Sequence, residues 1–533
     1  MKTLPLLTTA LIACGLVAQA QDWTQWGGSD PGRNMYSPAK NLPSIFNPGK
    51  LKTGTEEIDP ATTKGVRWAV KLGSQSYGNP VVAGGKVYVG TNNESPRDKK
   101  HTGDRSILMC FDEKTGAFLW QLVVPKLAAG KVNDWENLGL LCSPTVEGNL
   151  VYVVTSRCEV LCLTTDGLAK ENVGPYQDEA QYIVGPGKPK IEPGPKDADI
   201  VWRYDMMDEL GSFPHNASNS SVLIIGDTIY VCTSNGQDWS HVNVPSPNSP
   251  SFIALNKKTG ELLGEDDAKI GPHIYHGQWS SPSTGKVNGK DLVFYGGGDG
   301  WCYAFDAKPV KEGDTSFLKT VWKFDGNAPE YKLKDAAHKY PAPEGPSEII
   351  ATPVFYKNRV YIAIGQDPEH GEGVGRLACI DATKTGDISK SGLIWEYKGV
   401  RRTMGTVSID PDSGLLFLTD FSGFVHCLDA ETGKLHWVHD MKAHMWGSTF
   451  VADGKVYVGD EDGDFCVLAA TKEKKVLSEV NLGAAIDSTA IVANGVMYIA
   501  SLTHLFAIGE PAKATGDDPS KVNVELKKPD EKK

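Results

Sequence analysis

The residues best suited to chemistry lie in short polar and aromatic segments that come just before apolar, strand-like runs. An indole ring can stack on a planar ligand, a guanidinium group can hold a carboxylate, and a carboxylate can act as a base or a calcium ligand. Such side chains recur along the whole chain: Trp135, Glu136, His215, His276, Trp279, Arg401, His444, Trp446 and Asp487. If the fold brings these segments together, they predict a binding pocket or a catalytic centre.

The side-chain types assign roles within that hypothetical pocket. Trp279 or Trp446 would stack a planar cofactor, and Arg401 would bind a carboxylate. The other candidate binding residues are Trp135, His215, His276 and His444. Asp487 or Glu136 would serve as the base, but only if the protein is an enzyme.

Cysteines and one acidic run are weaker candidates. Cys110, Cys162, Cys302, Cys379, Cys427 and Cys466 are expected at one equivalent strand position in different repeats, which favours buried free thiols over disulfides. The one disulfide left open is a bridge between Cys158 and Cys162. The run Asp460–Asp464 resembles part of a calcium loop but lacks the downstream glutamate, so a hairpin turn is expected and no metal site is predicted.

The elements that must position these residues belong to an internal repeat. A polar turn, an apolar-aromatic strand, an aspartate turn and a tryptophan recur about eight times, as in Gly85–Tyr88 followed by Asp112 and Trp120. Each unit divides into four short strands separated by Gly, Asp, Asn and Ser turns. Radial repetition of four-stranded units predicts an all-β, eight-bladed β-propeller. The eighth unit lacks its tryptophan strand, so an N-terminal strand beginning at Val66 is expected to close the ring.

Composition and the chain ends limit the class of protein. The formal charge of −12 argues against nucleic-acid binding, and no apolar run after the N-terminus is long enough to span a bilayer. Lys2, the apolar stretch that follows it and Ala18-Gln-Ala20 resemble an export signal, with lipid attachment at Cys14 as the competing interpretation. We therefore expect a periplasmic or secreted monomer. The expected divisions are a signal peptide (1–20), an N-terminal extension (21–65), the propeller (66–510) and a disordered charged tail (511–533).

The aspartate turn followed by tryptophan, seen at 111–120 and 428–437, resembles the blade-docking motif of quinoprotein-type (PQQ-like) eight-bladed propellers. That superfamily includes quinone-dependent alcohol and sugar dehydrogenases and also cofactor-free assembly lipoproteins of the BamB type. The chain has no adjacent cysteine pair and no Cys-x-x-Cys-His motif, both of which some of the dehydrogenases carry. The resemblance therefore implies, first, a binding or scaffold protein of the cell envelope that takes a protein partner or a small molecule on its channel face. The alternative is an oxidoreductase that uses PQQ and calcium to oxidise an alcohol or sugar.

Overall fold

The computed structural model describes residues 21–334, 345–366 and 374–509, and these form eight antiparallel sheets arranged as the blades of a propeller. The predicted all-β, eight-bladed architecture is confirmed. The expected signal peptide with Cys14 and the charged tail from Pro511 onward lie outside the described residues, as do Asp367, Glu369 and His370, three loop residues that the sequence places near the channel.

Each blade has four strands that run outward from the central channel in chain order. Blades 1 to 4 consist of Val81–Ala83, Lys86–Asn92, Arg105–Asp112 and Phe118–Pro125; Thr145–Glu147, Leu150–Val154, Glu159–Thr164 and Ile200–Asp205; Leu223–Ile225, Thr228–Cys232, Phe252–Asn256 and Leu262–Asp266; and Ser283–Val287, Lys290–Gly296, Trp301–Asp306 and Thr320–Asp325. Blades 5 to 7 consist of Val354–Tyr356, Arg359–Ile364, Arg376–Asp381 and Leu393–Tyr397; Ser408–Ile409, Leu415–Thr419, Phe424–Asp429 and Leu435–Asp440; and Phe450–Ala452, Lys455–Gly459, Asp464–Ala469 and Val476–Asn481.

Blade 8 is completed from the other end of the described chain. Its three inner strands are Ile491–Ala493, Val496–Ala500 and His504–Ile508, and its outer strand is Val66–Lys71. Val66 pairs with Ile508 and Lys71 with His504 in antiparallel register. The predicted closure of the ring by an N-terminal strand is therefore confirmed, and no blade edge at the junction is left open.

Small additions decorate this ring. Tyr36–Ser37 adds a parallel strand to blade 7, the hairpin Val310–Glu312 and Thr315–Leu318 extends blade 3, and Gly386–Asp387 extends blade 4. Two short α-helices and five 3₁₀ turns complete the described structure: Glu179–Tyr182, Met206–Leu210, Pro60–Thr62, Gly130–Val132, Gly167–Ala169, Gly271–His273 and Pro329–Lys332. Among the described residues, none of these helices has the length and apolar character that a bilayer crossing requires.

The repeat has a fixed register across the three outer strands of a blade. In blade 1, Cys110 of the third strand lies between Tyr88 of the second and Trp120 of the fourth. Cys162, Cys379 and Cys427 occupy the same place in blades 2, 5 and 6. A small residue at this position leaves room for the two flanking aromatic rings, which lie face to edge or tilted at about 6 Å.

The expected equivalence of six cysteines is wrong for two of them. In blade 4 the central position is held by Ala304, and Cys302 pairs with Gly296 and Phe324 instead. In blade 7 it is held by Val467, one residue after Cys466. The conclusion drawn from that equivalence still stands: Cys158, Cys162 and the other cysteines of the described chain are all buried and free, so no Cys158–Cys162 bridge is present.

Each tryptophan of the repeat docks its blade onto the next one. The indole N–H of Trp68 donates to the Glu113 carbonyl oxygen in the aspartate turn of blade 1 at 2.9 Å, and Trp120 donates to the Thr165 carbonyl of blade 2 at 2.9 Å. The turn must be a glycine where the ring lies: a Cβ on Gly116, whose φ is +71°, would come within 2.7 Å of the Trp68 ring. The aspartate-glycine turn is therefore the socket for the preceding blade's tryptophan.

The segment Gln21–Tyr36 crosses the end of the channel where the innermost strands finish. Its backbone or side chains are hydrogen-bonded to every blade, through Val82, Val146, Val222, Thr284, Phe355, Ile409, Val451 and Asn494. Arg33 is fully buried in this segment and donates to the carbonyl oxygens of Trp26, Val222 and Pro282. The segment closes one end of the channel and ties the blades together there.

Replacing Arg33 with methionine should destabilise the protein strongly, because each lost hydrogen bond to a buried group costs about 1–3 kcal/mol. The carbonyl oxygens of Trp26 and Pro282 lose their Arg33 donor, and that of Val222 keeps only the Thr145 hydroxyl. We expect Arg33→Met to lower the free energy of unfolding by about 3 kcal/mol or more, measured by chemical denaturation. The control is Arg67→Met, which removes an exposed arginine. Equal stability of the two variants would contradict the role of Arg33 as the buried tie.

Candidate functional site

The channel forms a cup of about 360 Å³ that is open on the side where the chain leads into each blade. Every blade contributes two residues to its wall, spaced two apart, so that both point inward. The residues nearer the mouth are varied and mostly large: Tyr77, Leu141, Asn219, Trp279, Ile350, Met404, Trp446 and Asp487. Trp135 and Leu138 also line the mouth, from the connection between blades 1 and 2.

The deeper residues form a second ring, the polar collar, in which every member carries a small polar side chain. Its members are Asn79, Ser143, Ser221, Ser281, Thr352, Thr406, Ser448 and Thr489. The backbone N–H of each member donates to the side-chain oxygen of the next blade's member at 2.7–3.3 Å, all around the ring except from Ser281 to Thr352. A short side chain with an acceptor oxygen, such as Ser, Thr or Asn, can accept this bond without adding charge, which explains why the collar is uniform whereas the mouth is varied.

Trp26 belongs to the segment that crosses the far end of the channel, and it lines the cup. The strand ends bonded to that segment lie beyond the collar, so Trp26 forms the floor of the cup. Trp26 is not among the site residues predicted from the sequence. A contact between an N-terminal extension and a channel has no signature in the repeat pattern.

Trp279 and Trp446 are both held in place by their indole N–H groups. Trp279 donates to the carbonyl oxygens of His215 and Ala217, each at 3.2 Å. Trp446 donates to the Glu461 carboxylate, and the ring of Tyr77 meets it edge-on at 5.9 Å. Both tryptophans therefore present fixed apolar surfaces to the cup, rather than packing between blades.

Asp487 is the one carboxyl group among the described residues that line the cup. Burial, with a smaller contribution from the negative charge of Glu461, raises the pKa of Asp487 to about 7. Burial also raises the pKa of Tyr77 well above its usual value. No lysine or arginine occurs among the described lining residues, so the cup is apolar, with a single group that changes charge near neutral pH.

The other predicted site residues do not line the cup. Glu136 and Arg401 are exposed to solvent, and the Arg401 guanidinium lies 6.0 Å from the centre of the Phe424 ring. His444 stacks on Phe421 and lies 3.3 Å from the Glu461 carboxylate, behind Trp446.

His215 and His276 are buried behind Trp279, where their rings lie 4.1 Å apart. The structure thus brings Trp135, Trp279, Trp446 and Asp487 together and places the histidines in a second layer on two sides of the cup.

The acidic run at Asp460 is a turn, as expected. One carboxylate oxygen of Asp460 accepts the backbone N–H groups of Asp462 and Asp464 at 3.1 and 2.9 Å. The Asp460 carboxyl thus closes its own hairpin, as in the Asx turns of many loops.

These features define a closed eight-bladed propeller with a cup along its axis. Residues 58–309 and 375–498 match the family described as outer membrane protein assembly factor BamB. The match covers more than half of the chain, and the chain belongs to this family.

Solved structures of two different activities share the fold. BamB from Moraxella catarrhalis is similar with a TM-score of 0.52 and 15% identity, over 83% of this chain and 99% of that one. A europium-containing methanol dehydrogenase has a TM-score of 0.52 and 14% identity, over 90% of this chain and 89% of that one. The quinohemoprotein alcohol dehydrogenase ADHIIG from Pseudomonas putida HK5 has a TM-score of 0.53 and 12% identity, over 96% and 82%. No curated protein sequence matches the chain significantly. At these identities the likeness establishes the fold only.

The raised pKa of Asp487 makes a prediction for stability. The carboxyl of Asp487 keeps its proton up to about pH 7 in the folded state but loses it near pH 4 in the unfolded state. The stability that this difference gives the folded state is therefore fully present below pH 4 and is lost as the pH rises through 7. We expect the thermal midpoint of Asp487→Asn to rise relative to that of the wild type between about pH 4 and 7, and the difference to level off at higher pH. The exposed Asp412→Asn variant controls for the lost charge. Parallel pH profiles for wild type and Asp487→Asn would contradict the assignment.

Proposed function

We propose that the protein is an exported, non-catalytic binding protein of the cell envelope that takes an uncharged aromatic or apolar group of its ligand into the cup. The observation that carries this proposal is the composition of the wall: Trp26, Tyr77, Trp135, Trp279 and Trp446 face one cavity that holds a single carboxyl group. Such a wall offers large apolar contact to a flat side chain or ring, and few polar groups to fix its orientation.

The size of the cup also supports a small guest. A volume of about 360 Å³ is at the lower end for ligand pockets and suits one aromatic group with a short attachment. The collar oxygens largely accept backbone N–H groups, so the polar groups left to a ligand are the Asn79 amide N–H, the Asn219 amide oxygen and the carboxyl of Asp487. A protein partner that inserts one aromatic side chain would satisfy these constraints, with the ring face around the mouth as the rest of the interface.

The quinone cofactor of the dehydrogenase relatives fits this cup poorly. PQQ carries three carboxylates, and the described lining residues include no cation to balance them. Calcium prefers six to eight oxygen ligands, often including several carboxylates, and the wall supplies one carboxylate, Asp487, beside the amide oxygens of Asn216 and Asn219. The donor set therefore does not match a PQQ and calcium site.

One observation favours the dehydrogenase as a second candidate. The carboxyl of Asp487 has a pKa of about 7 and lies beside the aromatic wall, as a general base would. Its side chain is buried and its ionised form is disfavoured by Glu461, which suits proton exchange near neutral pH. This candidate and the binding protein make opposite predictions for a cofactor titration.

Weak binding of a neutral aromatic probe should depend on the two oriented tryptophans. We expect N-acetyl-tryptophanamide to bind saturably in ligand-observed NMR, and Trp279→Ala or Trp446→Ala to weaken it about tenfold, because loss of aromatic contact costs about 1.4 kcal/mol. Trp239→Ala removes a tryptophan that is 61% exposed and outside the cup, and should leave binding unchanged. Equal weakening by all three substitutions would contradict binding in the cup.

The enzyme alternative is tested with the same preparation. PQQ with Ca²⁺ or Eu³⁺, titrated to high micromolar concentration, is expected to give no saturable absorbance change and no dye-linked oxidation of alcohols or sugars. Saturable binding with turnover would overturn the binding-protein proposal in favour of the dehydrogenase.

A further inference from the structure

Three histidines converge on the channel face beside blade 3, in the layer behind Trp279. His215 lies in the connection from blade 2 to blade 3, and His276 in the connection from blade 3 to blade 4. His241 comes from the loop between the second and third strands of blade 3. This loop and the two blade-to-blade connections lie on the same face of the propeller. Propeller topology therefore brings three distant sequence positions to one point.

One imidazole nitrogen from each of the three rings lies within 4.8 Å of those from the other two. The ring centroids are 4.1 Å apart for His215 and His276, 4.7 Å for His241 and His276, and 5.1 Å for His215 and His241. Nitrogens bound tetrahedrally to one zinc ion at about 2.0–2.1 Å are separated by about 3.4 Å. Small side-chain rotations would close the remaining distance.

The backbone around the cluster holds the ring of His215 and the main chain at His276 in position. Nδ1 of His215 lies 2.6 Å from the Gln237 carbonyl oxygen, which makes Nδ1 the protonated nitrogen and Nε2 the ligand atom of the neutral ring. The backbone N–H of Gln237 donates to the His276 carbonyl oxygen at 2.9 Å, and its side chain donates to the Ile274 carbonyl at 3.0 Å. One residue thus braces both buried histidines, as outer-shell partners do in metal sites.

Glycine at position 236 permits this close approach. A Cβ on Gly236 would lie 2.6 Å from the Cβ of His215 and 3.0 Å from the His276 carbonyl oxygen. Three residues in or near the cluster have left-handed backbone conformations: His241, Asn216 and Ser234, with φ of 54°, 57° and 59°. Non-glycine residues adopt this region at a cost, and such positions concentrate at functional sites.

The cluster has a closed side and a side toward solvent. Trp279 covers it from the cup, with its ring centroid 5.4 Å from that of His276. His241 is only half-buried, and Trp239 beside it is 61% exposed. Three protein ligands with one side toward water is the arrangement of zinc sites that keep an exchangeable fourth position.

A second group of potential metal ligands in the described residues lacks these properties. His439, Cys466 and Glu479 also lie close together, but burial raises the pKa of the Cys466 thiol to about 12 and lowers the pKa of His439. A thiol binds metal as the thiolate, so this group is poorly prepared as a ligand. Its glutamate is exposed, and no glycine cradle lies among the three residues.

We propose that His215, His241 and His276 form a binding site for a divalent transition metal ion of the zinc class. Three imidazoles suit Zn²⁺, Co²⁺, Ni²⁺ or Cu²⁺, whereas calcium and magnesium require oxygen ligands. The site lies outside the cup, and its nitrogen ligands differ from the oxygen ligands that calcium requires. It stabilises the loop that carries His241 and leaves its fourth position on the solvent side, next to Trp239.

The test uses the full chain after treatment with a chelator, and the metal alone as the probe. We expect one equivalent of Co²⁺ to bind and give the visible absorption of a low-coordinate site, and Zn²⁺ to displace it. His241→Ala should weaken Zn²⁺ binding in calorimetric titration by at least about 10-fold, since even outer-shell changes cost 10–100-fold. His273→Ala, which removes an exposed histidine three residues before His276, should bind as the wild type does.

Thermal unfolding separates loss of the site from loss of the fold. Saturating Zn²⁺ should raise the thermal midpoint of the wild type and of His273→Ala, but not that of His241→Ala, whose metal-free midpoint should match the wild type. Absence of Zn²⁺ binding to the wild type at about 100 μM, or a loss below 10-fold in His241→Ala, would overturn the proposal. The result is independent of what the cup binds, because only the metal is titrated.

Discussion

The structure depends on one repeated contact, the hydrogen bond from a tryptophan of one blade to the aspartate turn of the next. The contact recurs at Trp68, Trp120, Trp202, Trp322, Trp395 and Trp437, each to a backbone carbonyl of the following blade. In each case the indole N–H satisfies a backbone carbonyl at the blade boundary, and the rings of Trp68, Trp120, Trp202 and Trp395 also lie over a turn glycine. Blade spacing, and hence the channel, follows from this contact.

The channel wall contains two kinds of residue: collar residues that link neighbouring blades, and mouth residues whose side chains do not take part in those links. Seven of the eight collar members accept a hydrogen bond from the preceding blade, and all eight are Ser, Thr or Asn. Two residues earlier in each blade no such link is made, and Tyr77, Trp279, Trp446 and Asp487 stand beside Leu141 and Ile350. Chemistry can therefore vary at the mouth of the cup without cost to the ring.

Much of this could be predicted from the sequence, because the repeat is a local pattern with a fixed period. Its strands, the closing strand at Val66 and the convergence of Trp279, Trp446 and Asp487 all follow from topology alone. Arg401, Glu136 and His444 were predicted to line a pocket that they do not reach, because they lie in irregular connections whose side-chain directions the repeat does not determine. Trp26 and His241 were missed because an extension and an irregular loop have no period to place them.

The segment that closes the far end of the channel also constrains the order in which the protein can fold. Asn494 is hydrogen-bonded to Asp22, 472 residues earlier, and Val66–Lys71 finds its partner only in His504–Ile508. A chain synthesised from its N-terminus has neither partner until the eighth blade is made. Contacts of such long range form slowly, and an unpaired strand edge invites association with other chains. The strand Val66–Lys71, which closes the finished ring, therefore remains unpaired until the eighth blade has been synthesised. A fold that closes in this way needs that strand to be shielded during synthesis.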